Sequence, residues 1–324
     1  MRGFPFVLFL LSGALATLQA EELDDLSTEL WKILNESGVP SLAAIAIVDG
    51  EVKGAGAVGL RKKGGKKPVT IDDKYHIGSC TKSMTSTLAA QLIEEGRIQW
   101  DSTVGDVLEK MEPGKAYADA TLEQLLSNRG GFPKKVPPRI WSRAWDDYRN
   151  GEKRQRENFV KAMFQETPRY VPGMGDEYSN AGFTVAGAML EEVTVSAGFG
   201  APDEGGREKH PSGHTEEGKP VPSGPGDDNP SAIGPAGTVH CSLPDMAKYV
   251  RMHLLSETGV VLRNRESFER LHTSMDSRQG YGKGWGVSTR PWAKGTTLSH
   301  NGSNTMFFFV IWMAPERKFA AIAA

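Results

Sequence analysis

Strand-like patterning in this 324-residue chain lies at its two ends, and that placement limits the fold more than any other feature. Near the N-terminus, residues 41–48 are small and β-branched, Asp49-Gly50 is a hairpin signal, and residues 52–58 form a second strand. Near the C-terminus come residues 285–289, 296–299, 306–313 and 318–323. The 306–313 run is apolar throughout, which predicts a central strand. Between these ends the spacing turns helical. Residues 83–96 carry Met84, Leu88, Leu92 and Ile93 on one stripe and stop at Gly96. Stretches 122–127, 158–165, 181–193 and 245–255 are also helical, and residues 23–36 place Leu23, Leu26, Leu30, Ile33 and Leu34 at helical spacing before the first strand. Strands separated by a helical middle share one sheet only if it is closed from both ends, and the short turns between the later strands make it mostly antiparallel. The expected architecture is α+β. Residues 21–75 and 275–324 build the sheet-containing part, and 76–274 form an inserted, mainly helical part. The latter includes a Gly-, Pro- and charge-rich segment, 201–237, of a kind that is either functional or disordered.

With 38 Lys and Arg against 40 Asp and Glu, the formal net charge is −2. No basic surplus points to nucleic acid, and the short runs Arg61-Lys62-Lys63 and Lys153-Arg154-Gln155-Arg156 read as solvated faces. The first 20 residues read as an export signal: Arg2, an apolar run over 4–18, and Ala14-Leu15-Ala16 as a cleavage site, with Ala20 before Glu21-Glu22 as a second candidate. The expected mature start lies between about residues 17 and 21, which places the protein outside the cell or in the periplasm. The run is shorter than the roughly 20 residues a bilayer requires, so no stable membrane span is expected once the signal leaves; a retained anchor is the alternative.

Three elements carry chemistry. Ser79-Cys80-Thr81-Lys82 is an S-x-x-K tetrad, which on a helix puts both side chains on one face. Serine needs an adjacent base, and a lysine serves where burial or a neighbouring cation lowers its pKa. The bland reading is an N-capping Ser79 with an exposed Lys82. Tyr178-Ser179-Asn180 opens an apolar helix after Pro172-Gly173; a phenol relays protons and an amide orients a carbonyl. Tyr148-Arg149-Asn150 has the same spacing but sits in a charged stretch. His300-Asn301-Gly302-Ser303 closes a strand, where the sheet edge can present a backbone N–H to an oxyanion and Gly302 lets substrate approach. Of the two cysteines, Cys80 adjoins the candidate nucleophile, where a bridge would crowd the site, so Cys80 and Cys241 are expected to be free and mostly buried thiols.

In this order the motifs resemble the class C β-lactamase, D-alanyl-D-alanine carboxypeptidase and esterase family, whose hallmarks are S-x-x-K, Y-x-N and K/H-x-G. The likeness covers roughly residues 25–324 and includes Gly96-Arg97-Ile98-Gln99-Trp100-Asp101, Leu125 to Gly131 and Gly234-Pro235-Ala236-Gly237. It implies a β-lactamase/transpeptidase-like fold and no metal or organic cofactor. By the same resemblance Ser79 is acylated, and Lys82 and Tyr178 share proton transfer. Asn180 and His300 meet a small ester, amide or peptide substrate, with Gly302 allowing close approach. The N–H groups of Ser79 and Ser303 form the oxyanion hole. The chain departs from the family where His300 replaces lysine and Asn301 replaces threonine, which favours esters or D-amino-acid amides over β-lactams. After residue 194 the chain passes almost directly to Val195-Ser196, and it stops at Ala324. The resemblance therefore implies either a compact variant or missing helices there.

Two other function classes compete. A metal hydrolase would draw on His210, His214, His240 and Asp227-Asp228, but no H-E-x-x-H occurs and no helix aligns them. A non-catalytic penicillin- or peptidoglycan-binding protein of the same fold would keep the motifs without turnover.

Overall fold

Glycine, small and β-branched residues at both ends produce the strands. A computed structural model describes residues 23–194, 211–221, 228–259 and 261–324. The signal reading over 1–20, and much of segment 201–237, lie outside the described residues. The strands are β1 (Asp24–Asp25), β2 (Ser41–Val48), β3 (Glu51–Gly59), β4 (Tyr75–His76), β5 (His240–Cys241), β6 (Gly286–Arg290), β7 (Gly295–Ser303), β8 (Phe308–Ala314) and β9 (Phe319–Ala323). Seven of them form one sheet in the order β1-β3-β2-β9-β8-β7-β6, antiparallel except where β1 lies parallel to β3. The two ends meet at β2 and β9, where Ala44 pairs Ala323 and Ile47 pairs Ala320. Asp49 and Gly50 both take positive φ, 53° and 81°, the geometry of the tight turn their sequence calls for. β8 is an interior strand, and its alternate residues Phe309, Ile311 and Met313 are fully buried.

Two apolar clusters meet near the Ser79 segment, whose Ile77 and Cys80 belong to the first of them. One lies under the sheet and joins Ile45, Ile47, Ile77, Met246, Val250, Trp285 and Ile311. The other fills the helical part with Leu122, Leu125, Phe132, Phe159, Met163, Phe183 and Met189. Arg156, wholly buried, ties the second together through a two-point ion pair to Glu191 and bonds to the carbonyls of Ser231 and Ala232.

One sequence expectation changes, and two helices were not foreseen. The first helix starts only at Ser27, because Asp24–Asp25 pairs with β3, and of its predicted apolar stripe Leu23 and Ile33 are 48% and 52% exposed. Helix Pro138–Asp146 was hidden behind Pro137-Pro138, yet proline at the first helical position costs no hydrogen bond. Helix Arg265–His272 carries just two core residues, Phe268 and Leu271, three apart in a charged run.

The helix Leu243–Leu255 brings in a fully buried His253, whose Nδ1 lies 2.9 Å from Nε2 of His272 and whose Nε2 lies 3.0 Å from Thr87 Oγ1. Burial pulls both imidazoles down, His272 to about 4 from 6.5. A group depressed in the folded state stabilises it fully above the unfolded pKa and loses that contribution as pH falls toward the folded pKa. His272 alone therefore costs up to about 2 kcal/mol between pH 7.5 and about 5. Thermal unfolding across that range should show a larger fall in Tm for the wild type than for His272→Gln.

Candidate active site

The two-residue strand β4 ends against the sheet core and forces a turn. Gly78 takes φ +48°, and a short 3₁₀ segment, Gly78–Cys80, runs into the helix Thr81–Glu94. From Tyr75 to Ser83, Ser79 alone is partly exposed; the residues on both sides are buried. Its N–H, at the start of the helix, has no acceptor within the helix.

Lys82 is wholly buried, and its Nζ meets three acceptors: Ser79 Oγ at 3.0 Å, Asn180 Oδ1 at 2.7 Å and the Ala236 carbonyl at 2.7 Å. None is a carboxylate. Burial pulls the amine down to about 7, against a small opposing influence from the Cys80 thiol. In the neutral amine, two N–H bonds suffice for the two closer acceptors. The lone pair then faces the Ser79 hydroxyl, which is the arrangement a general base requires.

Tyr178 is delivered by the start of the helix Asn180–Val193. Ser179 caps Asn180–Val193 by accepting from Gly182 N–H at 3.2 Å, its own N–H donates to Asn128 Oδ1 at 3.0 Å, and its hydroxyl donates to the Pro133 carbonyl at 2.8 Å. Tyr178 lines the same cleft as Ser79, and its ring centroid lies 4.8 Å from Lys82 Nζ. Burial pushes this phenol well above the ordinary tyrosine value, so it stays protonated. Tyr148 is instead 53% exposed and hydrogen-bonded by Arg149 at the surface.

Strand β7 continues through His300–Ser303 rather than closing before it, which corrects the expected end at residue 299. β6 pairs with β7 only as far as Ser299 opposite Gly286, so His300 to Ser303 lie past the end of β6. Gly302 presses on the nucleophile turn: a Cβ there would stand 1.8 Å from the Ile77 carbonyl oxygen and 3.0 Å from Ser79 N. The close approach it permits is that of the turn, and Gly302 also lines the cleft beside Ser79. A Cβ on Gly78 would in turn sit 2.3 Å from Ser303 N. The N–H groups of Ser79 and Ser303 are thereby brought to one place.

His300 lines the cleft with both ring nitrogens engaged. Nδ1 faces the Asn301 carbonyl at 2.8 Å, which only accepts, so Nδ1 carries the proton and Nε2 accepts from the Tyr281 hydroxyl at 3.0 Å. Burial, then the Lys82 charge, pull the imidazole down to about 4. Tyr281 was missed in the sequence. The run Tyr281-Gly282-Lys283-Gly284-Trp285-Gly286, with glycine at every second position, marked a backbone packed close to something.

The resulting cleft, about 510 Å³, is lined by Ser79, Lys134, Tyr178, Tyr281, His300 and Ser303 among others. A larger groove of about 710 Å³ shares Ser303 and Phe308 with it but includes neither Ser79 nor Lys82. Cys80 and Cys241 are free thiols, Cys80 buried and Cys241 half-buried. Of the metal candidates, His210 and Asp227 lie outside the described residues, His214 accepts from the Lys63 N–H, and Asp228 pairs with His76. Among the described residues no three His, Cys, Asp or Glu side chains cluster to hold a metal.

The family model described as Beta-lactamase matches residues 23–201 and 195–324. The chain is 26% identical to penicillin-binding protein 4 of Amycolatopsis lactamdurans over 86% of its own length and 79% of the relative's. In structure it is similar to the octameric penicillin-binding protein homologue of Pyrococcus abyssi, with TM-score 0.71 and 23% identity over 91% of this chain and 71% of that one. It is equally similar to a β-lactamase/D-alanine carboxypeptidase of Pseudomonas syringae, with TM-score 0.71 and 17% identity over 91% of both chains. At these identities the structures speak to the fold alone.

Proposed function

Because the chain belongs to the beta-lactamase family of serine hydrolases, we propose that it is an exported hydrolase that cleaves small esters or D-amino-acid amides and peptides through an acyl-enzyme on Ser79. One observation carries this reading: the buried Lys82, with no carboxylate to hold its charge, 3.0 Å from a partly exposed serine. Ser79 Oγ attacks the carbonyl carbon while its proton passes to Lys82 Nζ. The oxyanion is held by the N–H groups of Ser79 and Ser303. The protonated Tyr178 donates to the leaving group and is re-supplied from Lys82, and Asn180 keeps the lysine aimed. Water then cleaves the ester by the same steps in reverse, returning the proton to Ser79. Export rests on the N-terminal pattern of residues 1–20. No described helix is long and apolar enough to cross a membrane.

Substrate preference follows from the strand edge. With His300 neutral and both its nitrogens occupied, Lys134 is the one charged cation among the described residues that line the cleft at β7. Lys134, exposed at the rim, is screened by solvent. A lost charge-assisted hydrogen bond is worth roughly 10- to 150-fold in rate or affinity. A neutral nitrophenyl ester should therefore show a higher kcat/KM than a chromogenic cephalosporin, and His300→Lys should shift the ratio toward the cephalosporin. A cephalosporin preference in the wild type would contradict this reading. Binding of penicillin with no turnover of any ester or amide would favour the non-catalytic alternative.

The acid limb is set by Lys82. The base must be neutral, so kcat/KM for the ester should rise with pH through about 7 and level off above it. Tyr178, held protonated by burial, adds no alkaline limb near neutrality. A profile flat from about pH 5.5 to 8.5 would remove Lys82 from the role of base.

A further inference from the structure

One buried pair lies just upstream of Ser79 and takes no part in the proton transfers above. His76 is 1% exposed and Asp228 8%. The Gly78 N–H donates to His76 Nδ1 at 3.0 Å, so Nδ1 carries no proton. The proton is on Nε2, which donates to Asp228 Oδ1 at 2.6 Å. Asp228 Oδ1 also accepts the Asn229 N–H at 2.6 Å, and Asn229 Nδ2 donates to the Gly237 carbonyl at 2.8 Å. The next residue back, Ala236, supplies the carbonyl that holds Lys82, and Pro235 supplies one to the Thr85 hydroxyl at 2.7 Å.

We propose that Asp228 and His76 are a positioning pair that sets the oxyanion-binding turn. It is a role that rests on the acyl-transfer reading of Ser79. The carboxylate fixes the imidazole as the tautomer with a bare Nδ1. The bare Nδ1 holds the Gly78 N–H and with it the left-handed turn. That turn places the Ser79 N–H against Gly302 and beside the N–H of Ser303. The strap from Asp228 to Gly237 carries the same restraint to Lys82, so the turn before the nucleophile and the amine after it are anchored by one ten-residue piece of chain. Neither residue touches substrate; both act through the backbone of Gly78 and Ser79.

Two isosteric variants separate positioning from mere stability. In His76→Asn the amide oxygen reaches the place of Nδ1 and accepts from Gly78, leaving Asp228 with the Asn229 N–H but without the imidazole donor. In His76→Gln the terminal amide reaches the place of Nε2 and serves Asp228, leaving the Gly78 N–H bare. A buried carboxylate that loses its side-chain donor costs more than an orphaned amide, so Tm should order Gln above Asn. Phosphonylation of Ser79 by a fluorophosphonate should order the other way, Asn faster than Gln by about 5-fold or more. In Gln, kinact should fall about 10- to 100-fold with KI within about threefold of wild type. Reactivity that follows Tm, with Gln the faster, would overturn the pair's role. The Gly78 amide proton, read by NMR on the same samples, should stay hydrogen-bonded in Asn and be released in Gln; an amide proton indifferent to the exchange would overturn it as well. Failure of the wild type to label would instead sink the acyl-transfer reading, while the amide proton still judges the clamp.

Discussion

Ser79→Ala is expected to lower ester turnover by on the order of 10⁴-fold or more and to abolish covalent labelling, with little change in Tm. The size of the loss follows from removing the atom that forms the acyl bond, after which only binding and the oxyanion site act on the substrate. Stability is spared because Ser79 is partly exposed and, among the described residues, its hydroxyl meets Lys82 Nζ. The neighbouring thiol offers a control. Cys80 is buried in the sheet-side core and burial raises its pKa far above the ordinary range, so it is neither accessible nor a thiolate. Cys80→Ala and the surface change Tyr148→Phe should both leave labelling in place. Turnover by Ser79→Ala at even a tenth of the wild-type rate would mean another nucleophile carries the reaction.

Gly302→Ala is expected to cost about 10²- to 10³-fold in kcat/KM, the range seen when an oxyanion donor is lost. The added methyl would stand 1.8 Å from the Ile77 carbonyl oxygen, with Ile77 C at 2.8 Å and Ser79 N at 3.0 Å. All three are backbone atoms that cannot rotate away. Either β7 retreats from the turn or the turn retreats from β7, and both separate the N–H of Ser79 from that of Ser303. Overpacking of this kind also costs about 1–3 kcal/mol, so Tm should fall as well. Kinetics within about threefold of wild type would show that the turn and strand need not touch.

How much of this was legible before the fold was known depended on whether the signal was local. Strand 41–48 was read to the residue because its small and β-branched composition is a property of the segment itself, and the Asp-Gly turn carries its own geometry. The meeting of Ser79, Lys82 and Asn180 was legible as motif spacings, S-x-x-K and Y-x-N, at the starts of two helices. Helix Pro138–Asp146 was not, because a proline pair that reads as a breaker also serves as a helix start. The dependence of His300 on Tyr281, the pairing of His76 with Asp228, and the packing of Gly302 on Ile77 join residues far apart in sequence. No periodicity encodes such contacts, and only the glycines of 282–286 hinted at one of them.

The central claim is that Ser79 becomes acylated by a substrate and then released. Intact-protein mass, followed by peptide mapping, tests it directly on the wild type quenched in acid during turnover of a nitrophenyl ester and, separately, after exposure to a fluorophosphonate. One acyl increment is expected during turnover, decaying as substrate is consumed, and one lasting phosphonyl increment, both mapping to Ser79 and both absent from Ser79→Ala. An adduct on any other residue, or ester hydrolysis with no adduct on Ser79, would contradict it.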